Sequence, residues 1–268
     1  DQVIIRHDHP SMKGGFKKDA LFLKNECKEF LMHDKEVLQR RKAENYGLKY
    51  EEIVDHIPTS LDLFGSKNNQ DVMWSILIPT LDSRTELFTE LYRELLKQIE
   101  AHQLYHKVEV LFFKDNKHHT VGYKRNSLIQ AARGKYTSFV DDDDEIHKDY
   151  VKMIYDKLLK GPDCVSLTGI ITQNGNNPQT FIHSLRYKRW FSYKGIYYRP
   201  PNHLNPIKKN IAIKVKFANK NNGEDAQWSM QIQKLGLLKT QEEIDTPYYF
   251  YKFTSEGTET QKPKPKKK

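Results

Sequence analysis

The stretch Tyr136-Thr137-Ser138-Phe139-Val140, running directly into Asp141-Asp142-Asp143-Asp144-Glu145, constrains this chain more than any other. A β-prone run that ends in consecutive carboxylates reads as a buried strand delivering acids to a sheet edge, where open α/β sheets keep their ligands. Adjacent carboxylates repel more strongly as the local dielectric falls, so five of them stay together only if solvent screens them or a cation neutralises them. A solvated acidic turn is the plain alternative. Alternate residues of an extended segment point the same way, which sets Asp141 and Asp143 on one side and Asp142 and Asp144 on the other. Either pair has the spacing to share a divalent ion.

The neighbouring segments supply a sheet for that strand. Ser75 to Pro79 is a short apolar strand, and Ser83 with Glu86 three residues later has the form of a capping box opening a helix. Leu87, Leu91, Leu95 and Ile99 recur at helical spacing, so that face is expected to pack on the sheet. Val108 to Phe113 is a second strand ending near Asp115-Asn116, and a loop with His118 and His119 leads into a helix that Gly134 is expected to stop. Lys148 to Lys160 reads as a further helix, and Cys164 to Ile171 as a further strand. This alternation implies an α/β fold with a mostly parallel sheet covered on both faces by helices.

Residues 1–70 have a different character. From about Gly14 to Phe64 apolar residues are scattered among many charges in a helical pattern, and Gly65-Ser66-Lys67-Asn68-Asn69-Gln70 marks a boundary. They are expected to form a helical N-terminal accessory segment ahead of an α/β domain over 71–254. His7, His9, His33 and His56 show no ligand-like spacing. The formal charge of +9 owes much to the end of the chain, where five lysines fall in the last seven residues. Residues 255–268 cannot bury apolar surface and read as a disordered tail or linker.

Cys27 and Cys164 lie far apart without metal-ligand spacing, which fits a reducing compartment and argues against a disulfide scaffold. No apolar run approaches the roughly 20 residues needed to span a bilayer, and the first residues lack a signal-peptide layout. The expectation is a soluble, cytoplasmic protein. The start at Asp1 reads as a fragment or a processed end, consistent with part of a larger multidomain protein.

A strand closing on Pro79-Thr80, a second ending at Asp115, then Lys124-Arg125-Asn126, Ala132-x-Gly134-x-Tyr136, the Asp141–Asp144 run and Gly223-Glu224-Asp225 before a helix follow one another in order. This succession resembles the family 2 glycosyltransferases with a GT-A fold, over roughly Val72 to Phe253. The resemblance implies transfer of a sugar from a nucleotide-sugar donor, with a UDP-sugar favoured, to an acceptor hydroxyl. It implies Asp141 and Asp143 as the DXD pair, Asp143 as the direct ligand of Mn2+ or Mg2+ and Asp141 nearer the ribose or a metal-bound water. A register shifted by one, onto Asp142 and Asp144, has the same spacing. The metal would offset the charge of the donor diphosphate.

Pro79, Thr80, Asp115, Lys124, Arg125, Asp141 and Asp142 fall, by the same resemblance, at the donor, with Asp115 toward the nucleobase. The motif around Asp115, Lys114-Asp115-Asn116-Lys117, departs from the commoner family pattern. Lys124 and Arg125 can supply positive charge to the donor, Arg125 can instead pair with the aspartates, and an ordinary basic helix start explains both as well. The reaction also needs a base for the acceptor hydroxyl, and a carboxylate serves if burial raises its pKa toward neutrality. By family order Asp225 is that base, giving inversion by single displacement, with Glu224 behind it or at the acceptor. Helix capping by acids is the local alternative.

Between these motifs, residues 186–211 are rich in aromatics, including Tyr187, Trp190, Phe191, Tyr193, Tyr197 and Tyr198. Such faces suit sugar rings or core strands equally. His203 is a candidate third metal ligand. The acceptor is open: a glycan or another hydroxyl compound, with a hydroxylated base in DNA the least favoured. A metal-dependent phosphoryl-transfer enzyme acting on nucleic acid is the rival reading, which accounts for the acids but not for Gly223-Glu224-Asp225.

Overall fold

The computed structural model describes residues 3–6 and 72–254. The expected helical segment, the boundary at 65–70, the tail at 255–268, Cys27 and the four N-terminal histidines lie outside the described residues; the described part of the N-terminal region is a strand, β1 (Val3–Arg6).

A seven-stranded sheet has the order β1-β3-β2-β4-β11-β6-β12. Within it β2 (Trp74–Leu81) is parallel to both its neighbours, β3 (Val108–Asp115) and β4 (Tyr136–Phe139). Side chains alternate across these strands. Leu77, Leu111, Phe113 and Phe139 therefore share one core with Leu128 and Ile129 of α2 (Val121–Ala131) and with Trp228 and Ile232 of α5 (Glu224–Lys234). On the opposite face Phe112 meets Phe88 and Tyr92 of α1 (Thr85–Ala101), and Trp74 meets Tyr150 of α3 (Tyr150–Leu158).

The stripe of α1 that packs on the sheet is Phe88, Leu91, Tyr92, Leu95 and Ile99, whereas Leu87 is 44% exposed. The capping box does not form. A 3-10 turn at Asp82–Arg84 precedes α1, and no side chain caps its first turn. Gly134 is not a helix stop either, since α2 has ended at Ala131. A Cβ at Gly134 would lie 2.6 Å from the backbone N of Ser75, so this position needs a glycine because the chain passes against β2.

The sheet is mixed. Beyond β4 the next strand, β11 (Ile207–Lys208), which leads into the short helix α4 (Lys209–Ala212), runs antiparallel to both β4 and β6 (Cys164–Val165), while β12 (Gln241–Glu242) is parallel to β6. The single strand expected from Cys164 to Ile171 divides at Ser166, and β7 (Leu167–Gln173) belongs to a second sheet. That six-stranded sheet has the order β5-β13-β7-β8-β10-β9. Its strands are β5 (Glu145–Ile146), β8 (Asn176–His183), β9 (Phe191–Tyr193), β10 (Ile196–Arg199) and β13 (Tyr249–Phe253), with β7 between β13 and β8. The acidic turn is the joint: β4 before it lies in one sheet and β5 after it in the other.

Candidate active site

Because β2, β3 and β4 are parallel, their carboxyl ends bring Thr80, Asp115 and the acidic run to one edge. Strand β11 runs the other way, so the loop entering it, Asn202–Pro206, arrives at that same edge, where the Phe139 N–H donates to the carbonyl of His203 at 2.9 Å.

The run leaves β-structure at Phe139 and turns through Asp142 and Asp143. Even so, the carboxylates divide alternately. Asp142 is buried, accepting from the Thr80 hydroxyl at 2.6 Å and from Arg84 at 2.8 Å. Asp144 is also buried, accepting from the Tyr249 hydroxyl at 2.6 Å and the Lys252 N–H at 3.1 Å. Asp141 and Asp143 are the half-buried pair, with side chains 29% and 20% exposed. Asp143 lies 3.2 Å from Arg84.

The three residues Lys124-Arg125-Asn126 do three different things. Lys124 is buried, donates to the Thr80 carbonyl at 2.7 Å and is ion-paired to Asp115. Asp115 Oδ2 also accepts from the His119 N–H and faces the His119 ring, each at 2.9 Å, while the ion pair with Lys124 is made by Oδ1. Arg125 is buried between Asp141, at 3.0 Å, and Glu224. Asn126 exchanges two 2.9 Å hydrogen bonds with the Phe217 backbone. Together with Thr120, which bonds Asn219, and the Val121 N–H, which bonds Asn221, it clamps the loop that leads into α5.

That loop ends at Gly223, whose φ of 70° lets α5 begin with Glu224 and Asp225 at the site. His203 lies between the two acidic elements, with Nε2 3.7 Å from Asp141 and Nδ1 3.9 Å from Asp225. Both ring nitrogens are buried and without hydrogen-bond partners. Pro79 lies within β2, one residue before Thr80.

The electrostatics follow from these contacts. Burial pushes the Asp141 carboxyl up, but Arg125 and His203 outweigh it and hold this group well below the usual range. Burial, then the Asp141 charge, push Asp143 up to about 6 against the opposing Arg84 guanidinium. Glu224 is raised by burial despite Arg125. Asp225 departs from expectation: burial pushes it up, but His203 and Arg125 prevail and its carboxyl is lowered. It is therefore an ionised acceptor across the neutral range.

Two half-buried hard oxygen donors, the charge of Asp141 raising the pKa of Asp143, form a pair that a divalent cation would relieve, so the two carboxylates fit such an ion. Among the described residues no group of three or more His, Cys, Asp or Glu side chains is gathered as metal ligands.

Sequence reasoning assigned no role to Arg84, Asn126 or Tyr249. Asn126 had a signal, its place in the basic motif. Tyr249 had none, because its contact with Asp144 spans 105 residues.

An α/β sheet covered on both faces, with carboxylates and an acidic helix start at its carboxyl edge, is the frame of the GT-A glycosyltransferases. Residues 77–221, more than half of the chain, match the family model Glycosyl transferase family 2, and the chain belongs to that family. This leaves phosphoryl transfer on nucleic acid without support. A curated relative is the protein of Bacillus subtilis (strain 168) named as the teichuronic acid biosynthesis glycosyltransferase TuaG, 28% identical over 94 residues. The matched segment is 34% of this chain and 36% of that protein, so the chain spans about a third of the relative's length. Solved structures of S. aureus TarS 1–349, one with UDP and one with UDP-GlcNAc, superpose with a TM-score of 0.48 at 16% identity. They cover 68% of this chain and 61% and 59% of theirs. Among the described residues no helix is long and apolar enough to cross a membrane.

Proposed function

We propose that this chain transfers a sugar from a nucleotide-sugar donor, with a UDP-sugar the first candidate, to an acceptor hydroxyl by inverting single displacement. The observation that carries this reading is the convergence on His203: Asp141 of the acidic turn lies on one side of its ring and Asp225 of the helix start on the other. That proximity supports reading the acidic turn and the helix start as one site, with donor and base in reach of each other.

In the proposed reaction Asp225 accepts the acceptor hydroxyl proton as that oxygen bonds to the anomeric carbon. The bond from that carbon to the diphosphate oxygen breaks on the opposite face, which inverts the centre, and its electron pair leaves with the nucleoside diphosphate. Asp141 and Asp143 would hold Mn2+ or Mg2+, while His203, expected as a third ligand, is not gathered with them into a ligand set. When bound, such an ion would neutralise charge building on the leaving diphosphate. Arg125 fixes Asp141 and Glu224 in place and, after His203, lowers the Asp225 carboxyl against the effect of burial. Lys124 acts from beneath, orienting Asp115 and the Thr80 carbonyl instead of touching a phosphate.

The test is slow donor hydrolysis with UDP-, GDP- and dTDP-sugars plus manganese, paired with calorimetric titration of UDP. Hydrolysis of at least one donor is expected, and UDP is expected to bind with manganese only. Equal UDP affinity in the presence of a chelator would remove the metal assignment, and no hydrolysis of any donor would remove the reaction.

A further inference from the structure

Residues 186–199 carry six aromatic and five basic side chains and no acid. They form the end of the second sheet, where β10 pairs with β8 and the outermost strand, β9. Trp190, Phe191 and Tyr193 are 44%, 40% and 61% exposed. Lys188, Arg189 and Lys194 are exposed beside them. An edge strand with bare aromatic rings is a liability unless something covers it.

The rings are held in place. Phe191 stacks on Tyr198 at 4.9 Å, and the Arg199 guanidinium sits 4.3 Å from the Trp190 ring centre. Strand β10 then leads through Pro200 and Pro201 to His203, four residues beyond Arg199, and Ser229 of α5 bonds the Pro201 carbonyl at 2.7 Å. Burial lowers the pKa of the Arg199 guanidinium, and the Asp225 carboxylate opposes that shift.

We propose that this hairpin is an acceptor subsite for an anionic oligosaccharide, whose sugar rings stack on Trp190 and Tyr193 and whose carboxylates or phosphates pair with Lys188, Arg189 and Lys194. The inference rests on the glycosyltransferase reading above, which requires a hydroxyl-bearing chain to reach Asp225. Flat aromatic faces match the C–H faces of sugar rings, and the exposed Lys188, Arg189 and Lys194 select for negative charge, while Arg186 is already paired with Glu243.

Trp190 is an internal probe, because the other two tryptophans, Trp74 and Trp228, are buried. The experiment follows tryptophan fluorescence during titration with hexagalacturonate, a phosphorylated dextran oligosaccharide, neutral maltohexaose and a dT12 oligonucleotide. At least one of the two anionic glycans is expected to bind tenfold or more tighter than maltohexaose, and the arm that binds tells carboxylate from phosphate. Its affinity should fall at least tenfold in the triple variant K188Q/R189Q/K194Q. Trp190→Phe, which removes the probe but keeps a ring, should retain that affinity by calorimetry, and Trp190→Ala should lose it. Equal binding of maltohexaose, tighter binding of dT12, or no binding of either anionic glycan would overturn the proposal. Donor hydrolysis by the parent protein is measured beside it: hydrolysis without glycan binding refutes the subsite alone, and its absence refutes the reaction on which the subsite rests.

Discussion

Arg125 sets the charge state of the site. Its guanidinium is the buried counter-charge to Asp141 and Glu224, which come from a turn and a helix 83 positions apart. Removing one partner of a buried ion pair leaves charge uncompensated, at about 3–5 kcal/mol. Arg125→Gln is therefore expected to lose stability of that order in urea unfolding, whereas an exposed basic residue at a helix start would cost almost nothing. Asp225 and Asp143 separate chemistry from binding. Asp225→Asn keeps size and hydrogen-bonding capacity but takes no proton, so transfer should fall by about two to four orders of magnitude while UDP affinity persists. Asp143→Asn removes a ligand, so UDP affinity and turnover should fall together. Transfer within about threefold of the parent in Asp225→Asn, far short of the loss of a general base, would make Asp225 a helix cap.

At the scale of elements, the acidic helix start reaches the site because the loop before it is fastened to α2. Gly122 is the tightest point: a Cβ there would lie 1.9 Å from the Ala218 carbonyl oxygen, a backbone atom. Helix propensity alone favours Gly122→Ala by about 1 kcal/mol, but overpacking against backbone costs about 1–3 kcal/mol. The expected outcome is a lower melting temperature together with lost transfer, as α5 shifts. A higher melting temperature with normal transfer would show that the loop does not position Asp225. Asn126→Ala tests the same clamp without a clash and should weaken transfer more than UDP binding.

At the scale of the whole molecule, one contribution to the pH dependence of stability comes from the second sheet. His183 of β8 donates from Nδ1 to Asn202 Oδ1 at 3.0 Å, and burial, with the Arg199 charge second, lowers its pKa to about 3. Between that value and the ordinary 6.5 the unfolded chain binds a proton that the folded chain refuses. The His183 contribution to stability must therefore fall as pH drops below 6.5, by up to about 1.4 kcal/mol per pH unit, against the opposite contribution of the raised Asp143 carboxyl below about pH 6. His183→Asn keeps a donor near Nδ1 and removes the titration, so its stability should fall less than the parent's as pH drops from 6 to 4. Equal slopes would show that His183 titrates in the folded state.

The sequence by itself determined the parallel strands β2, β3 and β4, the helices between them, and the acids at their carboxyl edge. Strand period, helix period and an abrupt change from apolar to acidic are local signals, readable from neighbouring residues. The alternation of the four aspartates was legible for the same reason, since side chains of an extended segment alternate whatever they meet. Tertiary structure decided which acids were open: Thr80 and Arg84 close over Asp142, and Tyr249 closes over Asp144, across 58 to 105 positions. It also decided the direction of the Asp225 shift. Burial alone would raise that carboxyl, and only the fold brings His203 and Arg125 close enough to reverse it. The second sheet was illegible because Ser166 divides one continuous β-prone run between two sheets, and the chain's local preference is extended on either side of it. Pairing partners far apart in the chain, not local propensity, fixed where each half belongs.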